Sequence, residues 1–532
     1  MKTTEKHVLA AVVCRTLMCL ALCLSAQAKG TASELNLFNF AELQSLYNED
    51  VLSHPLENKL NRLLTTPFVD NSKIDSALPA FNRSEKLGEF LRVVHWNIER
   101  GLEFEAILAA FKSETDFAVM LNPERFGPDT DERSEILAEA AMLRAADVII
   151  LNEVDWGMKR TGYRNIAAEL ATELGMNYTF GVQFVELSPI YLSSRKKTSH
   201  AGENELLEMI SVDPQQYKGL HGIAILSRFP LENVRLVPFK NQPYDWFKSE
   251  KKSPGLIEKG KRGIAGKVFL EKTLREVRRG GRTTLLADVT DARLPSGRVT
   301  IAATHLENRT KPGRRLDQMT ELLETVKDFA HPVIIAGDMN TTGSDHSPTS
   351  MRREFMKRFG NPKFWIKKGA TYALGLGMLD DLIISGITFG RNHSDPTVKH
   401  IPFIAPNAER KLFRAISEFR FADGGSFDMR GDDQRSIGAK RKPFSNSNQR
   451  GKKGFVTTYQ VARPIMFIGK YKLDWIFVKP ADLKSPHDRK GSYRFAPHFG
   501  RTLTTVNEAI EGRISDHRPM LVDLPLSEPA IN

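Results

Sequence analysis

Between Leu91 and Val478, short apolar runs rich in β-branched residues alternate with stretches of helical spacing. The runs are Leu91–Val94, Val148–Leu151, Ile223–Leu226, Leu285–Val289, Val299–Ala303, Val333–Ala336 and Trp475–Val478. Continuous apolar runs of this length suit strands buried on both faces. Leu294-Pro295-Ser296-Gly297 supplies turn chemistry between two of them, so the Leu285 and Val299 runs read as a hairpin. Helical patterns fall between other strands, as at Glu135–Arg144 and Leu316–Phe329. This mixture predicts a layered α/β or α+β domain. Before it, residues 29–90 form a lead segment, with helical spacing at Phe40–Leu46 and Leu56–Leu64 that fits helices packed on the main domain. Between Thr342 and Lys472 the pattern loosens. Gln434–Leu473 holds no acidic residue but contains Lys440, Arg441, Lys442, Arg450, Lys452 and Lys453 among Gly, Ser and Asn, which reads as a mobile basic loop. A second basic stretch runs from Lys248 to Arg282.

Composition narrows the class. The 532 residues suffice for one elaborated domain or two, and 41% hydrophobic with 26% charged residues is ordinary for a globular protein. A formal net charge of +12 favours anionic partners: nucleic acid, anionic headgroups or phosphorylated small molecules. The N-terminus has the form of an export signal: Lys2, Lys6 and Arg15 lead, Leu17–Leu24 is a short apolar run, and Ala26-Gln27-Ala28 is a small-x-small cleavage site. The alternative is an uncleaved N-terminal anchor; a lipid on Cys23 is disfavoured by bulky Leu22 before it. All three cysteines, Cys14, Cys19 and Cys23, lie in this segment. Cleavage after Ala28 leaves no disulfide, thiolate ligand or cysteine nucleophile. It also removes Lys2, Lys6 and Arg15 against Glu5, taking the formal charge from +12 to +10.

Polar clusters stand at the ends of the apolar runs, where layered sheets commonly build sites. They are His95-Trp96-Asn97-Ile98-Glu99-Arg100-Gly101, Asn152-Glu153-Val154-Asp155, Thr304-His305-Leu306-Glu307-Asn308, Gly337-Asp338-Met339-Asn340, Asp474-Trp475 and Ser515-Asp516-His517-Arg518-Pro519. Singly, each has a structural explanation. Gly-Asp-x-Asn after a strand makes a turn or helix cap, and a lone histidine or strand-end glutamate is ordinarily satisfied by its neighbours. Together they form an inventory of carboxylates, amides and imidazoles. Hard oxygen donors suit Mg²⁺, Mn²⁺ or Ca²⁺ better than zinc. Such a site serves phosphate-ester cleavage, where positive charge offsets the anionic phosphate and a base positions water.

In order, these clusters resemble the motif set of the endonuclease/exonuclease/phosphatase superfamily, from about Leu91 to about Leu524. Gly222-Ile223-Ala224-Ile225-Leu226-Ser227-Arg228 also resembles that family's Gly-Asn-Ala-Ile-Leu-Ser-Arg stretch. The resemblance implies a four-layer sandwich, two packed mixed β-sheets flanked by helices, with the site at one edge. It implies Glu153 as principal metal ligand, with Asn97, Glu99 and Asp516 completing the metal or water shell. Asp338 would orient or deprotonate the attacking water, and Asn340 would hold that water or a phosphate oxygen. His517 would contact the phosphoryl group with Asp474 fixing its tautomer, while His305 would donate to an oxygen or help the leaving group. The sequence departs from the family pattern at Asn152 (commonly Gln), Ile223 (often Asn) and Trp475 (often Tyr), none of which removes an expected catalytic type.

The expected organisation is a signal peptide over 1–28, the lead segment over 29–90 and the catalytic domain over 91–527 with a basic insertion around 385–470. The expected activity is divalent-metal-dependent hydrolysis of a phosphodiester by a secreted or periplasmic monomer, with nucleic acid favoured as substrate. A sphingomyelinase-like lipid phosphodiesterase is the alternative. It would use Tyr244, Trp246 and Phe247 as an interfacial patch in contact with a membrane surface, although a core role fits these aromatics equally well. A phosphatase or a non-catalytic binding module ranks below both.

Overall fold

A computed structural model describes residues 37–73, 79–187, 212–251, 276–341, 409–431, 434–437, 450–451, 454–465 and 468–529. The expected signal peptide lies outside the described residues, as do Lys440, Arg441, Lys442, Lys452, Lys453 and residues 252–275 of the second basic stretch.

In chain order the strands are β1 (Phe68–Asp70), β2 (Asn82–Ser84), β3 (Gly88–Arg100), β4 (Val148–Trp156), β5 (Asn177–Glu186), β6 (Leu220–Ser227), β7 (Leu231–Pro238), β8 (Arg278–Gly280), β9 (Thr283–Thr290), β10 (Arg298–His305), β11 (Val333–Asp338), β12 (Arg450–Gly451), β13 (Gly454–Phe455), β14 (Tyr459–Ile465), β15 (Ile468–Tyr471), β16 (Asp474–Lys479), β17 (His498–Thr502) and β18 (Met520–Pro525). Every apolar run named between Leu91 and Val478 falls inside one of them. The first sheet has the order β1-β5-β6-β4-β3-β18-β17, with β2 beside β3 and β8 beside β5; the second has the order β16-β11-β10-β9-β7. Both are mixed. β3 runs parallel to β4 and β10 parallel to β11, while the other pairs within these sheets are antiparallel. The expected hairpin is β9–β10, closed over Pro295–Gly297 with Ser296 and Gly297 at positive φ.

Strand periodicity explains the layering. Alternate residues point to opposite faces. Leu91 and Val93 of β3, with Val148 and Ile150 of β4, enter the core between the sheets, where they meet Leu285, Ala287, Ile301, Ala303, Ile334, Ala336 and Ile476. The intervening Val94, Trp96, Ile149 and Leu151 face the other way, onto the helices Phe104–Lys112, Asp131–Arg144 and Ile166–Leu174. On the far side, Leu286, Ala302, Val333, Ile335 and Phe477 pack against the helices Pro312–Val326 and Arg410–Glu418. The result is helix, sheet, sheet, helix.

Ahead of Leu91, the helices Phe40–Asn48 and His54–Thr65 bury Leu43, Leu46, Leu56, Leu60 and Leu63 in the first outer core. β1 and β2 from the same stretch hydrogen-bond into the first sheet.

Two expectations need correction. Gln434–Leu473 is not one continuous loop: it contains the small hairpins β12–β13 and β14–β15. The reason lies in main-chain docking. Arg518 N donates to Thr458 O at 2.7 Å, Gln460 N donates to Asp516 O at 3.1 Å, and the Thr458 hydroxyl accepts from the amides of Leu473 and Asp474. Other parts of the insertion are equally tied in. The Arg410–Glu418 helix places Leu412, Phe413 and Ile416 in the core. Arg430 is buried against Asp428 and Glu528.

The second correction concerns the aromatic patch. Trp246 and Phe247 are buried, and Tyr244 donates its hydroxyl to Glu250. The Arg278 guanidinium covers Trp246 at 3.6 Å and Arg279 covers Phe247 at 3.7 Å, while Trp246 Nε1 donates to Glu307. Cations over the ring faces and a buried carboxylate on the indole hold these rings inside. No helix among the described residues is long and apolar enough to cross a membrane.

Phe413 is fully buried with its ring centroid 4.5 Å from that of Trp475. Phe413→Ala should therefore cost about 3–5 kcal/mol of stability, measured by urea denaturation. A dispensable insertion would show no change.

Candidate active site

The site forms where both sheets present the same edge. In β3, the two-residue repeat that sends Val93 between the sheets also sends His95 and Asn97 there. Regular pairing then breaks. The β3–β4 register shifts between Asn97 and Arg100, and the β4–β6 register shifts between Leu151 and Val154. Glu99, Arg100 and Glu153 adopt left-handed φ values of 46°, 68° and 54° at these breaks. Bulges of this kind re-aim a side chain out of the strand's ordinary alternation.

In the second sheet, register does the placing. His305 of β10 pairs with Asp338 of β11, and Asp338 pairs with Asp474 of β16, so the three stand abreast. Asn340, at φ 47°, follows directly; its amide N–H donates to Asp338 Oδ1 at 2.8 Å and its Nδ2 to the Leu306 carbonyl at 3.0 Å.

The loop Ser515–Arg518 closes the site from the first sheet. Asn507 brackets Ser515 through two hydrogen bonds, and the Ser515 hydroxyl donates to the Asn97 carbonyl at 2.7 Å. Asp516 N donates to Glu99 Oε2 at 2.7 Å, and Trp96 Nε1 donates to the His517 carbonyl at 2.9 Å.

All nine residues singled out from the sequence meet here. Asn97 Nδ2 lies 3.3 Å from both Glu153 Oε1 and Asp338 Oδ2. His517 Nδ1 is 2.7 Å from Asp474 Oδ2, its Nε2 lies 3.7 Å from Asp338 Oδ2, and His305 Nε2 lies 3.5 Å from the same oxygen. Glu99 is joined through Asp516, and Asn340 through Asp338. Asp338, Asp474, His305 and His517 are buried, whereas Glu153 and Asp516 are partly exposed.

Burial and mutual charge set the protonation states. Burial raises Asp338 to about 6, with Asp474 and Glu153 adding to the rise. Burial and the negative charge of Glu99 push Asp516 up to about 7. Burial opposes a charged His517, but Asp474 and Asp338 outweigh it and hold the imidazole well above its ordinary value. Burial likewise opposes ionisation of Asp474, yet the charge of His517 and hydrogen bonds from His517 and His95 keep it well below the usual carboxylate range. Burial, reinforced by Arg282, keeps His305 neutral.

The donor set fits a divalent cation. Glu99, Glu153 and Asp516 are carboxylates close enough that the charges of the first two help raise the proton affinity of Asp516, with the Asn97 amide oxygen alongside, and all are hard oxygen donors. Asp338, Asp474 and His517 also bring donor atoms within 4.8 Å of one another. The two oxygens of Asp474 are already divided between His95 and His517, and Nδ1 of His517 is committed to Asp474. Those commitments suit the histidine–aspartate pair to handling a proton, and leave Glu99, Glu153, Asp516 and Asn97 as residues that could hold a cation.

Several contributors carried no assigned role in the sequence. His95 Nε2 lies 3.0 Å from Asp474 Oδ1; its spacing of two from Asn97 in a strand was the available signal. Asn152 Oδ1 accepts from the Asp338 amide at 2.7 Å, which gives this departure from the family pattern a structural use. Thr458, inside the expected loop, offered no signal.

Two packed mixed sheets with carboxylates, an aspartate–histidine pair and a further aspartate at one edge define a phosphoester hydrolase. The chain belongs to the Endonuclease/Exonuclease/phosphatase family, whose model matches residues 94–517. Among solved structures, an endonuclease/exonuclease/phosphatase from Beutenbergia cavernae DSM 12333 is similar at 16% identity, over 82% of this chain and 72% of that one, with a TM-score of 0.36. The 3'-5' exonuclease NExo from Neisseria meningitidis is similar at 13% identity over 82% and 99%, with a TM-score of 0.36. The human Nocturnin catalytic domain with bound sulfate is similar at 15% identity over 82% and 93%, with a TM-score of 0.34. No curated protein matches the chain.

Asp338→Asn and His517→Ala should each lower turnover by on the order of 10²–10³ while leaving the protein folded; steady-state kinetics and a cooperative calorimetric transition check this. The raised carboxyls also predict a pH dependence. Asp338 and Asp516 bind a proton more tightly folded than unfolded, so their contribution to stability is fully present below the ordinary value of 3.8 and is lost as pH rises through about 6 and about 7. Mg²⁺ should therefore raise the Tm of metal-free protein more above that window than below it, as read by scanning calorimetry in both buffers.

Proposed function

We propose that this hydrolase is a divalent-cation-dependent phosphodiesterase with nucleic acid as its leading substrate, exported through cleavage after Ala28. The observation that carries the reading is the juxtaposition of two unlike halves: an oxygen-donor cluster of Glu99, Glu153, Asp516 and Asn97, and a proton-handling group of Asp338, His517 and Asp474, joined by the Asn97 amide. A divalent cation held by the first half supplies charge neutralisation on a phosphate oxygen.

The chain's own residues account for the rest. Asp338, raised to about 6, accepts a proton near neutrality and is the group suited to deprotonate the attacking water. Its Oδ1 is fixed by the Asn340 amide, leaving Oδ2 directed toward His517 and His305. His517, held protonated by Asp474, presents Nε2–H to a non-bridging oxygen, where a positioned cationic donor is worth most in the transition state. Neutral His305 offers one N–H on the opposite side of Asp338. The preference for nucleic acid rests on a formal net charge of +12, reduced to +10 by cleavage after Ala28, and the basic stretches flanking the site in sequence. The lipid alternative loses its best support with the burial of Trp246 and Phe247.

The test is incubation of the protein with plasmid DNA, RNA, sphingomyelin and a bis-aryl phosphodiester, each with Mg²⁺ or EDTA. Cleavage of DNA or RNA that EDTA abolishes is the expected result, with binding that weakens as salt increases. Release of choline phosphate alone would overturn the substrate assignment, and no turnover with any divalent ion would overturn the activity. Sequencing the N-terminus of exported protein should find Lys29 first.

A further inference from the structure

We propose that His95 is a positioning residue for the histidine–aspartate pair, holding the Asp474 carboxylate in the one orientation that serves His517; this rests on the function proposed above. His95 and His517 take the two oxygens of one carboxylate. His95 Nε2 lies 3.0 Å from Oδ1, and His517 Nδ1 lies 2.7 Å from Oδ2. His95 and Asp474 are both fully buried. They come from different sheets, β3 and β16, so this contact crosses the inter-sheet core and is independent of strand pairing.

The main chain of Asp474 is fixed separately. Its amide donates to the Thr458 hydroxyl at 3.2 Å, and its carbonyl accepts from Lys472 Nζ at 2.6 Å. Those contacts set where Asp474 is, not how its carboxylate is turned. Rotation of an aspartate carboxylate about its terminal torsion is broad. A second donor on Oδ1 removes that freedom and leaves Oδ2 on the line to His517. His95 is itself fixed, with Nδ1 3.2 Å from the Ile150 carbonyl of the neighbouring strand β4. Turning the carboxylate would swing the His517 ring and displace Nε2 from its place 3.7 Å from Asp338 Oδ2. Partners of this kind, acting one step behind a reacting group, typically carry about 10- to 100-fold in activity.

The test compares His95→Leu, His95→Asn and His95→Gln with wild type, using a bis-aryl phosphodiester with Mg²⁺ or Mn²⁺ and a calorimetric Tm for each protein. His95→Leu should lower kcat by about 10- to 100-fold with KM little changed. His95→Asn, too short to reach Asp474, should match it, and His95→Gln, whose amide can donate to Oδ1, should recover most of the loss. The second readout needs no turnover. In metal-free protein labelled with ¹⁵N-histidine, the low-field Nδ1–H resonance of His517, assigned by its loss in His517→Ala, should shift in His95→Leu and return in His95→Gln. Wild-type kcat in a folded Leu or Asn variant, or an unmoved His517 resonance, would overturn the proposal. Unfolding of all three variants would overturn it too, by making His95 a strut of the fold. Wild-type protein that hydrolyses no phosphoester would overturn the proposed function instead, and the resonance would still decide the role of His95.

Discussion

A single buried carboxylate, Asp474, is the point on which the site depends. A carboxylate removed from water is unfavourable unless it is hydrogen-bonded and faced by positive charge. Asp474 meets that requirement only because two sheets close over it. One contributes its backbone position through β16; the other contributes His95 on β3 and the loop that carries His517. The inter-sheet core of valine, isoleucine, leucine and alanine brings the layers to the separation at which these polar contacts form. Packing and chemistry are thus linked at one residue: loosening the sandwich loosens the proton site.

The second constraint is conformational. Glu99, Arg100, Glu153 and Asn340 are non-glycine residues at positive φ; the first two end β3, Glu153 stands at the register break within β4, and Asn340 follows β11. Backbone in this region is sparsely populated and costs of order 1–3 kcal/mol per residue. Regular strands would send alternate residues to opposite faces. The breaks at Glu99 and Glu153 instead bring both carboxylates near enough to Asp516 to raise its proton affinity. The large hydrophobic core on either side of the first sheet supplies the stability that lets this persist.

Much of this was legible in the sequence, and the physical reason is periodicity. Runs such as Val148–Leu151 and Val333–Ala336 are buried on both faces, so they stand out without alignment, and the polar residues after them mark strand ends. Most of the nine site residues were legible for the same reason, since they sit beside such a run; Asp516 and His517 adjoin none of the named runs and were legible through the order of the motifs. What was not legible depends on long-range pairing. The strand β18 follows the Ser515–Arg518 motif directly but carries Asp523 among its apolar residues, which pairs with Arg92 of β3 and masks the run. The β14–β15 ribbon is stabilised by main-chain bonds to the catalytic loop, which leave no side-chain signature, so its Gly- and Lys-rich flanks read as a loop. Trp246 and Phe247 have the composition of an exposed patch; only the arginines brought over them by the fold show them to be core.

The ribbon has a consequence beyond its own stability. It rests on the catalytic loop through backbone atoms at Thr458, Gln460, Asp516 and Arg518, groups that every non-proline amino acid supplies equally. Side chains of the ribbon that do not touch that loop can be exchanged without disturbing it, whereas Tyr459, whose ring centroid lies 4.8 Å from that of His517, is tied to it. Mutational drift along the rest of the ribbon is thereby uncoupled from the reacting groups, which keep their backbone support while its surface changes.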